Sequence, residues 1–180
     1  MKWTPRLAQA HDIPVLEQLI RLSVRALHVD CYSTAQVEAA LGPVFRVDRQ
    51  LIQDGTYFVV ERAGEVVGCG GWSRRHSLFG GDHARVGPNI ELDPDRDPAR
   101  IRAFFVHPDW ARQGIGSTLL AACEQAIREA HFHAVELVAT LVGEPLYSAF
   151  GYAAVERYEV PLTNGLGLPV VRMTKRLEKD

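Results

Sequence analysis

The stretch FFVHPDWARQGIGSTLL, residues 104–120, leaves the chain few folds to choose from. It presents, in order, an apolar strand, a turn opened by Pro108, a loop carrying Gly114 and Gly116, and an amphipathic helix. The first turn of a helix has four backbone N–H groups without intrahelical partners, and the macrodipole makes that end positive. Gly114 and Gly116 remove side chains that would block a close anion. The amides of Gln113, Gly114, Ile115, Gly116 and Ser117 are therefore placed to cradle a pyrophosphate, with Arg112 adding charge at the rim. No Gly-Lys-Ser/Thr follows, as a Walker loop requires. The spacing is not Gly-x-Gly-x-x-Gly either, which disfavours a dinucleotide fold.

Around this segment the elements read off in sequence. Residues 2–8 alternate weakly as a first strand. Asp12 followed by Pro14 starts a helix whose apolar face is Leu16, Leu19, Ile20, Ser23 and Leu27. Ser33 and Gln36 form a capping box for a second helix, which Gly42 stops, and a short helical turn spans 48–53. Residues 56–62 and 65–75 are strands joined by Ala63-Gly64, a hairpin signal. Residues 76–100, rich in Gly, Pro and Asp, read as an irregular excursion, and 102–107 as a compact strand. Ile115, Leu119, Ala122, Cys123, Ala126 and Ala130 make a helical stripe. Then come a strand at 134–141, a short helix at 144–150, and a last hairpin, 152–160 and 168–176, around Asn164-Gly165. The expected fold is α/β: a mixed, mostly antiparallel sheet of about seven strands flanked by about four helices.

Composition excludes other classes. The 180 residues fit one domain spanning 1–180, and the net charge of −2 gives no basic footprint for nucleic acid. Cys31, Cys69 and Cys123 are scattered and odd in number, so neither a disulfide framework nor a zinc site is expected. With no apolar leader and no long apolar run, the expectation is a cytoplasmic protein without membrane or metal.

VHPDWARQGIGSTLL resembles the acetyl-CoA signature of the GNAT acetyltransferase superfamily, [QR]-x-x-G-x-[GA], with one departure: Ala111 stands at the first Gln/Arg position. LVATLVGEPLYSAFGY, residues 137–152, is similar to that superfamily's second cofactor segment, a Tyr-x-x-x-Gly-Phe pattern written here with Tyr147, Gly151 and Tyr152. The resemblance covers nearly the whole chain. It implies acetyl-CoA as co-substrate, a primary-amine acceptor and direct attack in a ternary complex. It also implies that the backbone of Phe105 and Val106 pairs with the pantetheine arm in a slot made by splayed strands. Tyr147 would be the general acid, a homodimer the assembly, and His28, Cys31 and Tyr32 the acceptor-side residues. The superfamily's asparagine before this tyrosine is missing, at 141–143.

A phenol of pKa ~10 can donate to a leaving thiolate of pKa ~8.5 in a dry site. Bringing a lysine-like amine to its neutral form at pH 7 costs about 4.6 kcal/mol, but an α-amine only about 1 kcal/mol. The demand for a base thus depends on the acceptor. The strand IRAFFVH has no glutamate, leaving His76, His107, Glu144 or a water chain as candidates. Asp93, Asp95 and Asp97 fail as a calcium loop because Pro98 and Phe104 occupy the glycine and glutamate positions. Arg74, Arg75 and Arg85, weighed as holders of an acidic acceptor, read as a charged surface loop. Two other functions fit the same residues: a transferase using a longer acyl-CoA, and a non-catalytic acyl-CoA-binding or regulatory module.

Overall fold

The computed structural model describes residues 2–77 and 90–178. Seven strands form one sheet: β1 (Pro5–Leu7), β2 (Tyr57–Arg62), β3 (Glu65–Ser73), β4 (Ala99–Val106), β5 (Ala134–Thr140), β6 (Ala153–Pro161) and β7 (Gly167–Arg176). Their spatial order is β1-β2-β3-β4-β5-β7-β6. Every pairing is antiparallel except β4 with β5, which are parallel and joined through a helical crossover. Among the described residues five α-helices flank the sheet: α1 (Ile13–Leu27), α2 (Thr34–Ala40), α3 (Arg49–Gln53), α4 (Ile115–Glu129) and α5 (Glu144–Ala149). The expected architecture is borne out, with the short turn after Asp48 counting as a fifth helix.

Local chemistry explains most boundaries. Ser33 Oγ accepts from the Gln36 N–H at 3.2 Å while Gln36 Oε1 accepts from the Ser33 N–H at 2.9 Å, the reciprocal cap that starts α2. Leu16, Leu19, Ile20, Ser23 and Val24 of α1 are buried, as the spacing requires. With α2 they cover one face of the sheet, packed over Val59, Cys69, Phe105 and Leu168. On the opposite face Leu120, Cys123 and Ile127 of α4 pack with Tyr147 of α5 over Ile101, Leu137 and Met173. The acidic turn at 93–97 caps itself: the Asp93 N–H donates to Asp97 at 2.8 Å and the Asp95 N–H to Asp93 at 3.1 Å.

β4 differs from the sequence expectation, beginning at Ala99 and not at residue 102. The Gly-, Pro- and Asp-rich run through residue 100 reads as loop, yet Arg100 is buried in the sheet against Glu136, as Arg102 is against Asp48. β4 then breaks from its neighbours. Its ladder with β5 ends at Ile101 opposite Leu137. On the other side, two residues of β3 (Cys69 to Gly71) span three of β4 (Phe105 to Arg102), a β-bulge. Ala103 sits in that bulge at φ +58°, and its carbonyl accepts from Tyr57 Oη at 3.1 Å. Bulge and lost ladder together splay β4 from β5.

Candidate active site

The splay opens a cleft of about 750 Å³ that passes through the sheet. Ser117, Leu146 and Tyr147 line it from the α4–α5 face, and Ser23, His28, Phe45 and Arg46 from the α1–α2 face. Phe105 and Val106 form one wall and residues 138–140 the other. The Val106 N–H points away from β3 and donates to Ser23 Oγ at 3.3 Å, a long bond to a hydroxyl that can rotate.

At the α4–α5 end lies the glycine turn. His107 Nδ1 accepts from the Asp109 N–H at 3.2 Å and starts a single 3₁₀ turn, Pro108–Trp110. Arg112 (φ +63°) and Gly114 (φ +85°) both take left-handed backbone. None of the N–H groups of residues 112–117 meets an acceptor among the described residues, and the first intrahelical bond is from the Thr118 N–H to the Gly114 carbonyl at 2.9 Å. A Cβ on Gly114 would meet nothing within 4 Å, so glycine is needed there for conformation. A Cβ on Gly116 would lie 3.1 Å from Leu146 Cδ2, so that glycine keeps the helix close to α5. Arg112, Gly114, Ile115, Gly116 and Ser117 line the cleft. Gln113 does not: its side chain donates to the Asp109 carbonyl at 3.2 Å and its own carbonyl accepts from Trp3 Nε1 at 2.7 Å. Trp3 carries no signal in the sequence, since its contact depends on the sheet bringing β1 beside α4.

Tyr147 is buried between Phe104 and Tyr152, with ring centroids 6.1 and 5.8 Å away, and borders the cleft. Burial, with Cys123 adding to it, holds its phenol well above the ordinary value and therefore protonated. The asparagine-free segment is held otherwise: the Leu141 N–H donates to Tyr32 Oη at 2.9 Å, and that hydroxyl donates to the Pro169 carbonyl at 2.7 Å.

On the acceptor side the expected residues separate. His28 lines the cleft, stacked on Tyr32 at 5.9 Å and tilted against Phe45 at 5.3 Å. Burial drives its pKa down to about 4, despite the Ser23 carbonyl nearby, so it is neutral at pH 7 and a weak proton acceptor. Tyr32 has its hydroxyl engaged by two backbone groups, and Cys31 is exposed outside the cleft lining. The three candidate bases also lie outside it. His76 is exposed, His107 caps the 3₁₀ turn, and Glu144 is paired with Arg157. Arg75 is taken by Asp54 at 2.7 Å, and Arg74 stands over the Trp72 ring at 5.5 Å. Arg85 lies outside the described residues, as do residues 78–89 of the 76–100 excursion. The sequence reading missed Arg46, Asp48 and Arg102 as cleft residues. Only the helical turn at 48–53 was visible, because what brings them together is tertiary.

The acetyltransferase (GNAT) family model matches residues 21–152, and the chain belongs to that family and is an N-acetyltransferase. Solved structures agree on the fold. A GCN5-related N-acetyltransferase from Rhodopseudomonas palustris is 22% identical with a TM-score of 0.70, over 98% of this chain and 97% of that one. PaiA N-acetyltransferase from Thermoplasma acidophilum, in complex with coenzyme A, is 13% identical with a TM-score of 0.65, over 98% and 100%. YncA from Salmonella typhimurium, with its cofactor acetyl-CoA, is 18% identical with a TM-score of 0.64, over 100% and 96%. No curated protein matches the chain in sequence. Among the described residues no helix is long and apolar enough to cross a membrane.

Proposed function

We propose that this chain, acting as one cytoplasmic domain, moves an acetyl group from acetyl-CoA to a primary amine by direct attack in a ternary complex. The observation that carries the reading is the run of N–H groups at residues 112–117 that meet no acceptor among the described residues, all but Gln113 at positions lining a cleft that crosses the sheet. These donors, the α4 dipole and Arg112 fit a diphosphate, and Gly114 leaves open space above the turn. The coenzyme supplies an activated thioester, and the two solved neighbours bound to coenzyme A or acetyl-CoA support that choice of donor.

The chain's own residues then hold, orient and move protons. The walls at Phe105–Val106 and 138–140 offer a strand-like slot, with the Val106 N–H becoming available when Ser23 Oγ turns aside. Holding amine and thioester together in that slot removes the entropic cost of a bimolecular encounter. Tyr147 keeps its proton at neutral pH and lies on the cleft wall, so it serves as the acid for the departing thiolate. Among the described residues no side chain lining the cleft is a strong base: His28 is too acidic as its conjugate, and Asp48 is engaged with Arg102 at 3.1 Å. An amine delivered near neutrality, or water in the cleft, meets that need.

Isothermal calorimetry with coenzyme A, followed by thiol release from acetyl-CoA over a panel of amines, tests the reading. Coenzyme uptake with turnover supports it. Uptake without turnover, unchanged by Tyr147→Phe, favours the non-catalytic binding module, and no uptake overturns it.

A further inference from the structure

The α1–α2 face of the cleft carries information about the acceptor. A second groove of about 840 Å³ runs along this face between α1 and the link from α2 to α3. Phe45 and Arg46 line both, so groove and cleft share a wall. The groove holds four arginines and two glutamates. Each glutamate is taken: Glu38 by Arg25 at 2.7 Å and Glu17 by Arg49 at 3.6 Å. Arg21 and Arg46 are left without a carboxylate partner among the described residues. Arg21 is exposed and loses little by this, but Arg46 is half-buried at the cleft itself. A guanidinium partly withdrawn from water and lacking a counter-ion is costly, and its planar fork matches a carboxylate in two parallel hydrogen bonds. The protein's net charge is −2, so this pair of unmatched cations does not reflect a generally basic surface.

We propose that the acetyl acceptor is an amine that also bears a carboxylate, its amine directed into the cleft and its carboxylate gripped by Arg46, with Arg21 placed to take a second acid group. The inference rests on the acetyl-transfer reading and adds the substrate class. It also gives the cleft a way to orient the amine without a dedicated base: the anchored carboxylate fixes the angle at which the nitrogen enters. Polyamines, being cationic, would be repelled by the same arginines.

The test titrates coenzyme A-loaded protein by calorimetry with glutamate, an alanyl-glutamate dipeptide, the fully amidated form of each, and spermidine, and follows thiol release with the same set. The carboxylated amines bind and are acetylated, and amidation weakens both at least about tenfold. Arg46→Ala raises Kd and KM for the carboxylated members about 10- to 100-fold, more than it lowers kcat, and leaves coenzyme A affinity and melting temperature in place. Arg46→Lys restores part of the loss, because charge returns without the fork. Preference for the amides or spermidine, no acceptor binding by the loaded protein, or a carboxylate Kd within twofold of wild type in Arg46→Ala overturns the substrate class while coenzyme uptake keeps the acetyl-transfer reading. Absence of coenzyme uptake overturns both.

Discussion

The indole Nε1 of Trp3 donates a 2.7 Å hydrogen bond to the carbonyl of Gln113, joining the chain's third residue to the glycine turn 110 positions later. Trp3 is buried, packs edge-on against Trp110 at 6.0 Å, and satisfies the Gln113 carbonyl. The N–H groups of residues 112–117 meet no acceptor among the described residues, while the carbonyl at 113 is satisfied.

Trp3→Phe keeps much of the apolar contact and removes this bond. The expected loss is about 1 kcal/mol of folding stability. Because the turn is then less fixed, coenzyme A affinity falls by roughly fivefold, which corresponds to about 1 kcal/mol. Chemical denaturation and calorimetry on the same preparation measure the two effects; coenzyme affinity equal to wild type would show that the turn holds its shape without Trp3.

Gly114→Ala separates backbone strain from ligand space. At φ +85° any Cβ costs about 1–2 kcal/mol, although no atom within 4 Å obstructs it. Gly165→Ala, at φ +81° in the β6–β7 hairpin and equally unobstructed, carries the same penalty away from the cleft. Both variants lose similar stability in urea titrations. Only Gly114→Ala loses coenzyme binding, by about tenfold or more, since its methyl projects where the diphosphate is proposed to sit.

The contrast between turn and acceptor face also explains what could be read beforehand. The glycine turn, the capping box of Ser33 with Gln36 and the turns of the two hairpins are each written in fewer than ten consecutive residues, so backbone preference alone reveals them. The Ala103 bulge has no such mark: alanine seldom adopts φ +58°, and the Tyr57 hydroxyl and Cys69 thiol on its carbonyl, with the mismatched β3 register, hold it there. The start of β4 was hidden at the end of a Gly-, Pro- and Asp-rich run, because Glu136, the carboxylate that lets Arg100 be buried in the sheet, comes from a distant segment. Arg46 was invisible for the same reason, its meaning lying in which glutamates are already paired.

Acid unfolding should proceed in two steps. His28 is held at about 4 in the fold against an ordinary 6.5, so the unfolded chain takes up its proton first as pH falls. Stability tied to its neutral form is complete above pH 6.5 and lost between 6.5 and 4, on the order of 2–3 kcal/mol. Asp12, buried and held at about 2 by its hydrogen bonds from Arg6, adds a second loss between its ordinary 3.8 and 2. Denaturant midpoints measured from pH 8 to 3 would show the upper slope, and His28→Phe flattens it. A slope unchanged by that substitution would mean another group titrates there.

Tyr147→Phe addresses the proton given to the departing thiolate. The ring's contacts with Phe104 and Tyr152 survive, so melting temperature and coenzyme A affinity stay near wild type. The acid is lost, and kcat for amine acetylation falls about 100-fold. The sign of the pH dependence follows from burial. An acid works while protonated and fails as pH rises through its pKa. Tyr147 is raised above the ordinary phenol value of 10.0, so in wild type no alkaline loss of kcat attributable to it occurs below about pH 10. A steady-state pH–rate profile with both proteins checks this. A descending limb near pH 8–9 that vanishes in the variant would place the titrating phenol in a wetter, less shielded setting than the cleft wall provides, and undiminished kcat in the variant would remove Tyr147 from the chemistry.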